Sequence, residues 1–137
     1  MEPKGLPAMS SRDDVVEIHQ VLALYGHVVD DHDWDRADQV FAADFVFDLS
    51  DSGRPNLHGI GDIVATFKGR NAYAHHTTNV VVTEDDDGTV RAHSKLVCFP
   101  NEGPPFTGDY YDVMARTPAG WRIARRRAEL RQRKFFD

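Results

Sequence analysis

From Ala72 to Arg131 the chain reads as strand with few interruptions, and this half constrains the fold most. Residues 73–84, 89–99, 107–116 and 121–131 alternate apolar with polar side chains, the pattern of strands buried on one face. Asp85-Asp86-Asp87-Gly88 separates the first two runs and Thr117-Pro118-Ala119-Gly120 the last two, so two hairpins are expected. A loop rich in Pro and Gly, residues 101–105, joins them.

The first half has a helical period instead. Val15, Ile18, Leu22, Tyr25 and Val29 make one apolar stripe, with Ser10 or Ser11 as N-cap and Asp13 and Asp14 at the positive helix end. The polar run Asp30-Asp31-His32-Asp33 breaks the stripe. Asp33 suits the cap of a second helix carrying Trp34, Ala37, Val40 and Phe41. Residues 44–49 alternate as a short strand, and a third helix is expected near 60–69, with Ile60, Ile63, Val64 and Phe67 on one side. Three helices ahead of a mostly antiparallel sheet give an α+β fold with the helices on one face. The 137 residues suit one domain, residues 11–131, between a loose arm at 1–10 and a tail at 132–137.

The net charge of −6 disfavours nucleic acid or an anionic membrane as partner. The lone cysteine, Cys98, excludes an internal disulfide and fits a reducing compartment. Residues 1–11 contain no apolar run, so neither a signal peptide nor a membrane anchor is expected and the location is read as cytoplasmic. The Arg125-Arg126-Arg127 run is split between two faces by strand alternation and reads as an ion-paired strand end.

His75 and His76 open the first long strand. Neighbours on a strand point to opposite faces, so the two cannot chelate one metal. A two-residue Asp87-Gly88 turn groups His75, Thr77, Asn79 and Val81 with Ala92, Ser94, Leu96 and Cys98. That small, uncharged set is taken as the inner face. His76, Thr78, Val80 and Val82 fall outside with Arg91, His93 and Lys95; a three-residue turn would mix the sets. Pairing Arg116 with Trp121 in the second hairpin sets Asp112 opposite Arg125, as a partly buried ion pair.

Tyr25-x4-Asp30-x2-Asp33-Trp34, His75-x3-Asn79, Gly108-x-Tyr110-x-Asp112 and Gly120-Trp121-Arg122-Ile123 together resemble the SnoaL-like branch of the nuclear transport factor 2-like superfamily. That branch includes polyketide cyclases and scytalone dehydratase. The resemblance implies a cone: a strongly curved sheet closed by three helices around a pocket. It also implies homo-oligomers, dimers or higher, through the convex sheet face. By matching positions it makes Asp30 and His75 an acid–base dyad and puts Tyr25 beside them. Val29 stands where scytalone dehydratase has a tyrosine, and Pro100 near where it has a second histidine, so its substrate is not implied.

No Gly-rich phosphate loop, metal-ligand spacing or serine nucleophile motif is present, so no cofactor and no metal are expected. What remains is proton transfer by an imidazole, which ordinarily titrates near about 6.5, with a carboxylate fixing its tautomer and a tyrosine hydroxyl polarising a carbonyl. The expected activity is dehydration, cyclisation or isomerisation of a small, largely apolar carbonyl or hydroxyl compound, such as a polyketide or steroid-like metabolite. Trp34, Asn79, Cys98, Tyr110, Asp112 and Arg125 are candidates for holding it. The alternative is a non-catalytic binding or assembly module, in which His75 is structural and Asp30 caps a turn. The residues do not choose among the three reactions, or name the substrate.

Overall fold

A computed structural model describes residues 11–69 and 72–131; the expected arm and tail lie outside the described residues. In chain order the elements are α1 (Arg12–Asp30), a 3-10 helix (Trp34–Gln39), β1 (Phe41–Asp48), a 3-10 turn (Ser50–Ser52), β2 (Leu57–His58), α2 (Gly59–Gly69), β3 (Ala74–Glu84), β4 (Val90–Phe99), β5 (Phe106–Thr117) and β6 (Gly120–Leu130). The fold is α+β, around one six-stranded sheet ordered β2-β1-β6-β5-β4-β3. Both hairpins are present, as β3–β4 and β5–β6. The sheet is mixed because β1 runs parallel to β6.

Ser11 caps α1, its Oγ accepting from the Asp14 N–H at 3.2 Å. The buried stripe of Ile18, Leu22, Tyr25 and Val29, widened by Val21 and Val28, packs into a core with Phe41, Phe45, Met114, Trp121 and Ile123. Each such side chain contributes about 1.5–3 kcal/mol when fully buried. At the far end His32 takes a left-handed φ of 54°, and the Asp33 N–H bonds back to the Val28 carbonyl at 2.9 Å. This is a helix stop made without glycine, and it leaves Asp30 as the last helical residue.

The helix expected to run from Trp34 through Phe41 is a 3-10 helix that ends at Gln39. The Val40 carbonyl accepts from the Ile123 N–H at 2.8 Å, which draws the chain into the sheet, and Phe41 is already strand. Asp33 does not cap with its side chain; it binds Arg36 at 3.3 Å. The closing set is therefore two α-helices and a 3-10 helix, and β2 has only two residues.

Both hairpin registers differ from expectation. The first turn has three residues, Asp86-Asp87-Gly88, closed by the Asp85 N–H on the Thr89 carbonyl at 2.8 Å, with Gly88 at φ 85°. Val81 therefore lies opposite His93 and points outward, 57% exposed, whereas Val82 lies opposite Ala92 and is buried. Both valines were expected on the other faces. A bulge between Thr78 and Val81, with Asn79 at φ 55°, then shifts the pairing by one. Beyond it His75 lies opposite Cys98 and Thr77 opposite Leu96, so both keep the expected inner face, with partners two residues from those a two-residue turn would give. In the second hairpin Arg116 pairs with Trp121 as expected, but the register slips between Val113 and Met114. Asp112 consequently sits opposite Arg126, not Arg125.

On the outer face His93 stacks on Tyr111 with centroids 4.6 Å apart, and Arg127 lies over the same tyrosine. Burial works against ionisation of Asp109 there, but hydrogen bonds from Lys95, His93 and Arg131 outweigh it and hold its pKa down to about 2. Among the described residues, no helix is long and apolar enough to cross a membrane.

Candidate active site

Asp30 is fixed by the end of α1 and His75 by the start of β3, and the two meet directly. One carboxylate oxygen lies 2.6 Å from the ring Nδ1 of His75; the other accepts the His75 backbone N–H at 2.9 Å. An ionised carboxylate only accepts, so Nδ1 must carry the hydrogen and Nε2 is the bare nitrogen of the neutral ring. The double contact fixes both the ring and the strand that carries it.

The approach of β3 to α1 depends on Gly26. A Cβ at that position would lie 2.6 Å from the His75 carbonyl oxygen, well inside contact distance. Gly26→Ala is expected to lower stability by about 1–3 kcal/mol, as overpacking does, and to pull His75 away from Asp30. Denaturant unfolding together with the His75 ring resonances checks this. Unchanged stability and resonances would mean that the helix and strand are not in contact there.

His75 opens onto a cleft of about 110 Å³. Phe47, Leu49, Phe67, Leu96, Phe106 and Leu130 form its apolar walls. Tyr25, Tyr110 and Cys98 line it beside His75, and Ser52 and Arg54 belong to the lip. Larger concavities, such as one of about 630 Å³ between α1 and the 3-10 helix, lie away from the dyad. The cleft is smaller than these but sets apolar walls beside the Asp30–His75 pair, so size does not decide the site.

Tyr25 is 1% exposed and packs edge-on against the His75 ring with centroids 6.1 Å apart. The ring of Tyr110 packs edge-on against that of Tyr25, with centroids 5.8 Å apart. Burial raises the Tyr25 pKa, opposed by the charge of Arg126, and burial drives Tyr110 well upward. Both therefore remain neutral hydroxyls near pH 7. Beneath them Arg126 stacks on both rings, its guanidinium carbon 4.3 Å from the Tyr25 centroid and 3.8 Å from that of Tyr110. Nε and one terminal nitrogen each reach Asp112 at 2.8 Å, and both side chains are fully buried. The other nitrogen, Nη1, has no partner among the described residues. Burial penalises the Arg126 cation, but the charge and hydrogen bonds of Asp112 outweigh it and raise its pKa further.

Arg126 is the site-forming residue that strand alternation placed wrongly. Trp121 and Ile123 face inward on odd numbers, whereas the inward Ala128 is even, so a bulge had to fall between them. That change of parity is the one signal in the sequence. Of the candidates for holding substrate, Tyr110 and Cys98 line the cleft. Burial raises the Cys98 pKa to about 11, helped by the Asp30 charge, which keeps it a thiol. Asp112 lies behind the tyrosines, bound to Arg126. Arg125 pairs with Asp48 at 2.9 Å and borders a groove on the outer face. Trp34 stacks on His32, and Asn79 is the exposed bulge residue. His76 leans on Phe99, away from His75. Among the described residues no group of three or more His, Cys, Asp or Glu side chains is placed to hold a metal ion.

The model of the SnoaL-like domain matches residues 10–127, nearly the whole of the described chain. The chain belongs to the SnoaL-like family. This SnoaL-like protein is 30% identical over 139 residues to an uncharacterized protein of Mycobacterium tuberculosis, covering 90% of this chain and 89% of that one. Among solved structures it is similar to one from Novosphingobium aromaticivorans that carries the name of an aromatic ring hydroxylase, with 27% identity, a TM-score of 0.76, and 91% and 94% of the two chains covered. A second protein of that organism, named for scytalone dehydratase, shares the fold at 16% identity and a TM-score of 0.70, over 88% of this chain and 85% of that one. The SnoaL-like fold thus places the chain in the nuclear transport factor 2-like superfamily.

Proposed function

We propose that this SnoaL-like protein is a cofactor-free acid–base enzyme, a dehydratase, cyclase or isomerase, acting on a small carbonyl compound. The observation that carries the reading is the Asp30–His75 hydrogen bond at 2.6 Å, which leaves Nε2 as the acceptor beside an apolar cleft. Nε2 takes a proton from the carbon next to the substrate carbonyl. Asp30 stabilises the imidazolium that forms, and the Tyr25 hydroxyl donates to the oxygen that becomes an enolate.

The enolate then has three exits. Expulsion of a β-hydroxyl, protonated by Nε2–H, gives an alkene and water. Attack on a second carbonyl closes a ring, and return of the proton to another carbon moves a double bond. The shared first step is the one to test. Incubation of ring-sized ketones and β-hydroxy ketones in D₂O is expected to place deuterium at the carbon next to the carbonyl, read by NMR. His75→Ala is expected to slow this by about 10²–10⁴-fold. Exchange at equal rates in both proteins would remove His75 from the chemistry.

The small volume of the cleft favours a second reading, a non-catalytic module of the same fold. That reading predicts no exchange with any compound that binds. Self-association through the outer sheet face is also proposed, supported by the exposed Val81 and by Tyr111 between His93 and Arg127. Light scattering is expected to give a dimer or larger, and Val81→Glu a smaller species; a wild-type monomer at micromolar concentration would contradict it.

A further inference from the structure

Arg54 stands apart from nearly every other arginine. Arg36, Arg91, Arg116, Arg125, Arg126, Arg127 and Arg131 each bind a carboxylate, and Arg122 binds backbone carbonyls. Among the described arginines, only Arg54 and Arg12, at the start of α1, make no side-chain hydrogen bond or ion pair to a described residue. Arg54 does so in a chain with 22 acidic and 16 basic side chains, where a carboxylate partner would be easy to find.

The segment carrying Arg54 is built. Asp48 accepts from the Ser50 N–H at 3.0 Å and from its Oγ at 2.6 Å. The Leu49 carbonyl accepts from the N–H groups of Ser52 and Arg54, at 3.1 and 3.3 Å. Gly53 turns the chain at φ 68°, and the Asn56 amide oxygen accepts the Leu49 N–H at 3.1 Å. The backbone of Arg54 is thus tied to Leu49, itself a wall of the cleft. Among the described residues the cleft lining contains no carboxylate: Asp30 stands behind His75, and Asp112 behind the tyrosines. Among the described lining residues Arg54 is the one permanent charge, on an exposed residue beside apolar walls.

We infer that Arg54 binds the carboxylate of the substrate, so that the cleft takes a small aryl or alkyl carboxylic acid. The inference rests on reading the cleft as a substrate site. The planar guanidinium matches a carboxylate through two parallel hydrogen bonds. One cation suits one negative charge, whereas a phosphate would call for a cluster of cations, and Arg54 is the single cation among the described lining residues. The cleft volume of about 110 Å³ is of the order of one ring, since apolar cavities of about 150 Å³ admit benzene. The acid group then stays at the lip while the carbon skeleton enters.

The test is an NMR titration at pH 7 with 3-phenylpropionate, its neutral amide and phenyl phosphate. Wild type and Arg54→Gln are compared at low and high NaCl. The acid is expected to bind about 5-fold or more tightly than the amide, with the preference falling in salt and vanishing in Arg54→Gln. Equal binding of acid and amide, or a preference that survives Arg54→Gln, would overturn the inference while leaving the proton-transfer reading intact. Tighter binding of phenyl phosphate than of the acid would also overturn it. If none of the three shifts any cleft resonance at millimolar concentration, the cleft is not a site for such ligands and both readings fall.

Discussion

Replacing Arg126 with methionine is expected to lower the free energy of unfolding by about 3–5 kcal/mol, a large part of the roughly 5–15 kcal/mol typical of a domain. Methionine keeps much of the side-chain volume, so the loss reports charge more than a void. Asp112 would be left fully buried and unpaired under two tyrosines, without water to replace two 2.8 Å hydrogen bonds. Asp112→Leu alone is expected to do similar damage, because it strands the arginine. The double variant Arg126→Met, Asp112→Leu removes both charges and is expected to recover most of the loss, since apolar residues often replace a buried pair at little cost. Urea unfolding of the three variants measures this. A single-variant loss under about 1 kcal/mol would mean that the pair is hydrated. The effect extends to the cleft, because the Arg126 charge opposes the burial that raises the Tyr25 pKa. Without it Tyr25 becomes a weaker hydrogen-bond donor to an enolate.

Asp30→Asn is expected to leave the fold nearly intact and to remove the chemistry. Asp30 accepts two hydrogen bonds from one residue, the ring Nδ1 and the backbone N–H of His75. An asparagine satisfies both contacts in one arrangement: its oxygen takes the backbone N–H, and its amide donates to Nδ1. That arrangement forces the ring hydrogen onto Nε2, where the acceptor should be. Stability should change by no more than about 1 kcal/mol, because both His75 groups that meet Asp30 keep a partner. Proton abstraction should fall by about 10²–10⁴-fold, the scale seen when a catalytic histidine is held in the wrong tautomer. Deuterium exchange and urea unfolding measured on the same variant separate the two effects. A large stability loss with proportionate activity loss would instead make Asp30 a structural cap.

The sequence was most readable where periodicity and turn chemistry agree. The α1 stripe, the Ser11 cap, both hairpins and the outward His93 follow from spacing alone. Side-chain direction failed at irregularities with no strong local signal. The three-residue turn at Asp86-Asp87-Gly88 exchanged Val81 with Val82, and the Asn79 bulge undid that exchange before His75 was reached. His75 therefore faces inward for a reason that turn length alone did not supply. In β6 no second bulge cancels the first, so Arg126 rather than Arg125 turned inward. The meeting of Asp30 with His75 joins residues 45 positions apart. Only a family resemblance suggested it, since no local pattern links a helix end to a strand start. Gly26, whose missing side chain permits the approach, carries no mark in the sequence beyond being a glycine inside a helix.

The proposed chemistry requires that Asp30 hold His75 with Nδ1 protonated and Nε2 bare toward the cleft. A long-range ¹H–¹⁵N correlation spectrum of the neutral His75 ring tests it most directly. The hydrogen is expected on Nδ1 in the wild type and on Nε2 in Asp30→Asn. A wild-type ring with its hydrogen on Nε2 would contradict it, because the cleft would then face a donor and no base would stand where the chemistry requires one.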